Sequence, residues 1–244
     1  MARAVAINVG ANTNEPGFRG PIWPDGRFAF VPIPEQEPTV EPPPTYAELG
    51  LDLPFDLPPG VAEQPVHLDP EFAAYPFGER YTYGDPWGVK ARPILDLSAG
   101  DYLFFYATLD PVGEAAAGDG WVRPGWGAYL IGHFRLARDP VPGEAVESLP
   151  AGERARFANN AHRRRDPFDA AVLVAGDASS RLYDIAAPLS GETGTAANEI
   201  VTEWSADTGA GPWWRRPLRF GPEETERLLE YVSRKSYDSD SAPA

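Results

Sequence analysis

Ala4-Val5-Ala6-Ile7-Asn8-Val9-Gly10-Ala11-Asn12-Thr13-Asn14-Glu15-Pro16-Gly17-Phe18-Arg19-Gly20 is the stretch on which the fold turns. The apolar run Ala4 to Val9 predicts a buried strand. It empties at once into a polar loop rich in glycine and asparagine. Pro24-Asp25-Gly26 predicts a turn, and Arg27-Phe28-Ala29-Phe30-Val31 alternates at the period of a second strand. A loop of this kind, held by a buried strand, sets amide donors and acceptors (Asn8, Asn12, Asn14) and one guanidinium (Arg19) where a polar planar ligand can be read. The same residues also serve an ordinary connection, in which the asparagines satisfy turn backbone.

Outward from this stretch, further apolar runs predict more strands: Tyr102-Ala107 after a Gly100-Asp101 turn, Ala128-Leu136 with a candidate bulge at Gly132, Ala170-Ala175 and Arg181-Ala187. Pro150 to His162 reads as one helix opening on proline. The stretch after Phe220 reads as a C-terminal helix with first-turn acids and an apolar face of Leu228, Leu229 and Val232. The fold class is therefore α+β, a strand-rich mixed sheet or partly open barrel with a few flanking helices. Residues 1–235 read as a single domain, and 236–244 as a flexible polar tail.

Ten prolines lie between Pro32 and Pro65, with Pro42-Pro43-Pro44 at the centre. Proline lacks an amide donor, so this segment pairs poorly in a sheet. It predicts a wrapping arm at about 34–65, with one short helix at Tyr46-Leu49 and Leu53, Phe55 and Leu57 turned to the body.

Bulk properties exclude several functions. The chain of 244 residues has no cysteine, which removes disulfides, thiolate metal sites and cysteine nucleophiles together. No apolar run spans a membrane and no leader opens the chain, so a cytoplasmic protein with no membrane partner is expected. The net charge of −15, with only Lys90 and Lys235 as lysines, argues against DNA binding by bulk field. It fits a halophilic cytoplasm or a GC-rich genome. Walker, dinucleotide and zincin motifs are absent from the sequence.

His67 and Asp69 stand two apart in an extended segment and share a face. Three readings stay open for them: an Asp-Pro turn, acid–base or substrate contact, or a metal pair needing further donors from His133 or His162. No metal is expected, and no cofactor is named by the sequence. Asn159 to Asp166 carries the densest basic run, with His162 and Arg163, and fits either phosphate contact or a helix-end charge effect. Asp177 and Arg181 follow a buried strand, where a guanidinium fork can grip a phosphate or carboxylate. Trp213 sits in a Trp-Trp-Arg-Arg run that can stack a base or pack in the core.

Two resemblances add to this. Gly100 to Pro140, with its Gly-Asp turn and aromatic strand pair, resembles the PUA-like barrels that include readers of modified bases. Nearly the whole chain resembles the nucleotide-modification-associated domain family, third of its numbered types. The motifs are Asn8-Val9-Gly10-Ala11-Asn12, Pro24-Asp25-Gly26-Arg27, His67-Leu68-Asp69-Pro70, Gly100 to Tyr106, Asn160-Ala161-His162, Ala175-Gly176-Asp177, Ser180-Arg181 and Pro188-Leu189-Ser190. This implies an α+β protein that meets a nucleotide, or DNA containing modified bases, and either handles or makes the modification. The expected site is a cleft under the Asn8 to Arg19 loop. Asn8, Asn12, Asn14, Arg19, Tyr106, Arg163, Asp177, Arg181 and Trp213 would hold the substrate there, and His67, Asp69 and His162 would move protons. Rival expectations are a glycosyl-transfer or nucleoside-processing enzyme and a non-catalytic interaction module built on the proline arm. Protein partners are not indicated.

Overall fold

The computed structural model describes residues 1–86, 88–113 and 120–239. Its main sheet orders strands β10-β7-β6-β1-β11, with β2 also pairing β6. These are β1 (Ala4–Asn8), β2 (Gly20–Ile22), β6 (Tyr102–Pro111), β7 (Gly127–Arg135), β10 (Arg181–Pro188) and β11 (Leu218–Phe220). A second sheet, β5-β9-β8, joins β5 (Thr82–Asp85), β8 (Val141–Pro142) and β9 (Val172–Ala175). A two-stranded ribbon pairs β3 (Ile33–Pro34) with β4 (Val66–His67). Helices are few: α1 (Tyr46–Leu49), α2 (Ala91–Leu95), α3 (Ala151–Arg154), α4 (Ala161–Arg164) and α5 (Pro222–Ser239).

The apolar strand runs form because both faces of the main sheet are covered. Ile7, Leu103, Phe105 and Ile131 enter one buried cluster, while Ala6, Phe104, Tyr106 and Leu130 enter another on the opposite face. β1 runs parallel to the first half of β6 (Ala4 opposite Tyr102 through Asn8 opposite Tyr106). β2 then takes over the same flank (Gly20 opposite Leu109). The asparagine loop is thus an excursion from the seam between two strands that share one partner. It leaves at Gly10, whose φ of +79° is left-handed and where an added Cβ would lie 2.9 Å from the Phe30 ring.

The proline-rich segment lies on the body. Leu51, Leu53 and Leu57 pack on the main cluster, and the Phe55 ring meets Phe18 edge-on at 5.2 Å. Its helix α1 is fixed by a capping box, Thr45 with Glu48, and ends on left-handed Gly50.

Several sequence expectations need correction. Arg27 to Val31 does not form a strand. The turn closes as read, with Trp23 N–H donating to the Arg27 carbonyl, but the segment then contributes only isolated bridges, Phe28 to Ile22 and Arg27 to Ile185. Pro150 to His162 is not one helix. It breaks after Phe157, and Asn160 starts α4 by accepting from His162 N–H, so the basic run forms its own short helix. The register shift in β7 falls at Ile131, skipped between Phe105–Gly132 and Tyr106–Leu130. Among the described residues the sheet is open, and nothing supports the PUA-like barrel. Trp87, part of the loop before Gly125 and the last five residues of the tail lie outside the described residues, and no described helix is long and apolar enough to cross a membrane.

Candidate functional site

Two separate chain segments bring His67, Asp69 and His162 together. His67 closes the β3–β4 ribbon opposite Ile33, Asp69 follows it, and His162 opens α4. All three are buried, at 5%, 6% and 4% exposure, yet they line a cavity of about 440 Å³. Their nearest ligating atoms lie within 4.8 Å of one another. Gly84 on β5 lets α4 approach: an added Cβ would sit 2.8 Å from the His162 ring and 3.0 Å from the Asn160 side chain. The Gly84 N–H also donates to Asp69 Oδ2 at 2.8 Å, and Asn160 Nδ2 donates to Asp69 Oδ1 at 3.2 Å.

Each imidazole is oriented from behind. Nδ1 of His67 lies 2.6 Å from Glu35, which comes from the proline arm, and Nδ1 of His162 lies 2.7 Å from Asp169. Arg165 ties the two carboxylates together, donating to Glu35 at 2.8 Å and to Asp169 at 2.6 Å. Burial would raise the Glu35 pKa, but hydrogen bonds from His67 and Arg165 outweigh it and hold the carboxyl at about 2. At Asp169 the same opposition resolves downward through His162 and Arg165. Both carboxylates are therefore ionised and only accept, so Nδ1 of each ring carries the proton and Nε2 faces forward.

Forward lies Asp69. Its Oδ2 stands 4.0 Å from His67 Nε2 and 3.5 Å from His162 Nε2, too far for direct hydrogen bonds. Burial pushes the Asp69 carboxyl well above the ordinary range, and the negative charges of Asp85 and Glu71 add to it. Burial also lowers the His162 pKa to about 4, with the neighbouring His67 charge reinforcing it.

The asparagine loop forms the opposite wall. Asn8 and Asn12 line the cavity, and the Asn8 side-chain nitrogen is buried without a hydrogen-bond partner. Lys90 Nζ donates to the Asn8 carbonyl at 2.7 Å, and burial lowers its pKa against the opposing pull of Asp85 and Asp69. Asn8, Asn12 and Lys90 are shared with an adjoining hollow of about 270 Å³. That hollow adds Asn14, Arg19, Trp214 and Arg215.

Other candidates are placed elsewhere. Tyr106 is fully buried and donates to the Arg216 carbonyl, and Trp213 is fully buried with its indole N–H on Thr195. Arg163 pairs with Glu147 and lies over the Phe168 ring; Asp177 pairs with Arg135; Arg181 lies over the Tyr183 ring. His133, the possible extra metal donor, binds the Tyr183 hydroxyl in the sheet core and does not join His67. Glu35, Gly84, Asp85, Lys90 and Asp169 were not singled out by the sequence as site residues; Arg165, Trp214 and Arg215 lie in the basic and Trp-Trp-Arg-Arg runs, of which Arg163 and Trp213 were the named candidates. Lys90 carried one signal, as one of only two lysines.

The family model described as nucleotide modification associated domain 3 matches residues 3–234. No curated protein matches the chain, and no solved structure does.

Proposed function

Because the chain belongs to the nucleotide modification associated domain 3 family, we propose that its two joined hollows bind one nucleotide unit, with the His67–Asp69–His162 cluster as the reactive end. The observation that carries this reading is the sharing of Asn8, Asn12 and Lys90 between a histidine-lined cavity and a cation-lined one.

The division of labour follows from the chemistry of each wall. The unpartnered Asn8 nitrogen offers a donor to a base or sugar acceptor, and leaving such a group buried and unpaired is costly. Arg19, Lys90 and Arg215 supply the charge that a phosphate needs locally, despite the acidic chain. Trp214 gives an aromatic face beside them. A site built this way works at short range and needs no basic surface. It suits a modified base or nucleotide taken out of a stack, which is how enzymes reach atoms hidden in a duplex.

The test is a calorimetric titration with nucleosides, nucleoside monophosphates and oligonucleotides carrying modified bases. Binding of at least one nucleotide is expected, weakened about tenfold or more in Asn8→Asp, which swaps the donor for an acceptor. Arg215→Ala is expected to erase the preference for monophosphate over nucleoside. No binding of any of these ligands to the folded chain would refute the reading.

A further inference from the structure

We propose that His67, Asp69 and His162 form a binding site for a single divalent transition-metal ion, with its remaining coordination positions open to the cavity. Both rings spend their Nδ1–H on ionised carboxylates, Glu35 and Asp169. In its neutral form each ring then presents an Nε2 lone pair, and both lone pairs face an Asp69 oxygen that is itself an acceptor when ionised. With Asp69 ionised, three acceptors converge with no donor among them, and the separations of 3.5 and 4.0 Å are too long for a shared proton. A cation between them turns this mismatch into attraction.

The spacing fits an ion. Metal–nitrogen and metal–oxygen bonds of about 2.0–2.2 Å place neighbouring donors roughly 3–4 Å apart. All three atoms already lie within 4.8 Å of one another, so small side-chain rotations close them on a common centre. Ligand identity fits as well: two imidazoles and one carboxylate on a divalent first-row metal leave positions for water or a substrate oxygen.

The surrounding shell has the form that metal-bound histidines require. Each ring is backed by a carboxylate, and Arg165 locks the two carboxylates together. Asp69 is held by the Gly84 amide and the Asn160 side chain, which fixes which oxygen faces the rings. Glu35 arrives from the proline arm, 32 residues before His67, so the arm has a role in the site beyond covering the core. His133, the remaining histidine of the chain, shows the contrast: its Nδ1 meets the Tyr183 phenol in place of a carboxylate.

The inference shares its cleft with the nucleotide reading, and its test uses metal alone. The full-length chain, stripped with chelator, is titrated with ZnCl2 and CoCl2 without nucleotide. One ion per chain is expected. The cobalt complex should show two solvent-exchangeable, paramagnetically shifted N–H proton signals, one from each Nδ1–H. Asp69→Asn and His162→Gln should each weaken uptake at least about 100-fold, and Glu35→Gln about 10- to 100-fold. His133→Gln should bind as the parent does. No stoichiometric ion, no shifted N–H signals, or uptake that survives both Asp69→Asn and His162→Gln would overturn the site. The cobalt signals come from the parent chain, so they decide the matter even if a variant does not fold. Nucleotide binding in excess chelator, with no ion taken up in the metal titration, would remove the metal site alone. Ion uptake without nucleotide affinity would remove the nucleotide reading alone.

Discussion

The cleft and the core of the main sheet both bury histidine, and to nearly the same depth: His67 and His162 are 5% and 4% exposed, His133 is 3%. What differs is what each ring faces. In the core, His133 sits among Tyr102, Phe104 and Tyr183 with ring centroids 5.5–5.6 Å away, and its Nδ1 is satisfied by the Tyr183 hydroxyl. In the cleft, two rings are backed by charge, aimed at a third acceptor and open to a cavity. Burial lowers the pKa of His133 and of His162 to about 4, so a shifted pKa alone does not mark the site. Convergence of unsatisfied groups does.

The sharpest separation of the two regions comes from Trp213, which shares the core cluster with Phe104 and Tyr183. Trp213→Ala removes a fully buried indole and its bond to Thr195, and about 3–5 kcal/mol of stability should go with it. Nucleotide affinity per folded molecule should stay at the parent value, which equilibrium denaturation and calorimetry on one preparation would check.

Acid should find the core next. Burial, with the Arg181 charge, lowers His133 from 6.5 to about 4. The folded state then resists a proton that the unfolded chain accepts. The stability is fully present above pH 6.5 and is lost as pH falls from there to about 4. The loss should total roughly 3 kcal/mol. Denaturant midpoints across that window should fall for the parent and less steeply for His133→Gln; equal slopes would break this side of the comparison.

On the cleft side, Gly84→Ala puts a Cβ against His162 and Asn160. About 1–3 kcal/mol of stability should be lost by overpacking, with ligand affinity falling alongside it. The smallest effects belong to the half-buried Arg163 and the exposed Arg181. Arg163→Ala and Arg181→Ala should each change stability by less than about 1 kcal/mol and leave nucleotide affinity unchanged, measured by the same two assays.

Local patterns made much of this fold readable. The strands β1, β6, β7 and β10 follow from apolar runs, and α1 follows from the helix expected at Tyr46-Leu49. The Pro150 to His162 helix failed because Asn160 caps a new helix instead of continuing the old one. In the site, His67 and Asp69 were legible through their two-residue spacing, and the asparagines through their loop. Two other candidates missed by small angular steps. Trp213 points into the core while Trp214 lines the hollow, and Arg163 meets Glu147 while Arg165 clamps Glu35. Differences of one or two residues in short helical turns are decided by tertiary packing, which spacing does not carry. Glu35 was invisible for a related reason. Its partners lie 32 and 130 residues away, across a proline-rich arm that looks like mere covering.

The chain contains three histidines, so a proton–nitrogen correlation spectrum of the imidazoles reads both regions at once. Nucleotide is titrated into nitrogen-15-labelled protein, with the His133 signals assigned through His133→Gln. The account expects the His67 and His162 ring signals to move together with one affinity while His133 stays fixed. Movement of His133 alone, or saturating nucleotide with all three rings unmoved, would contradict it.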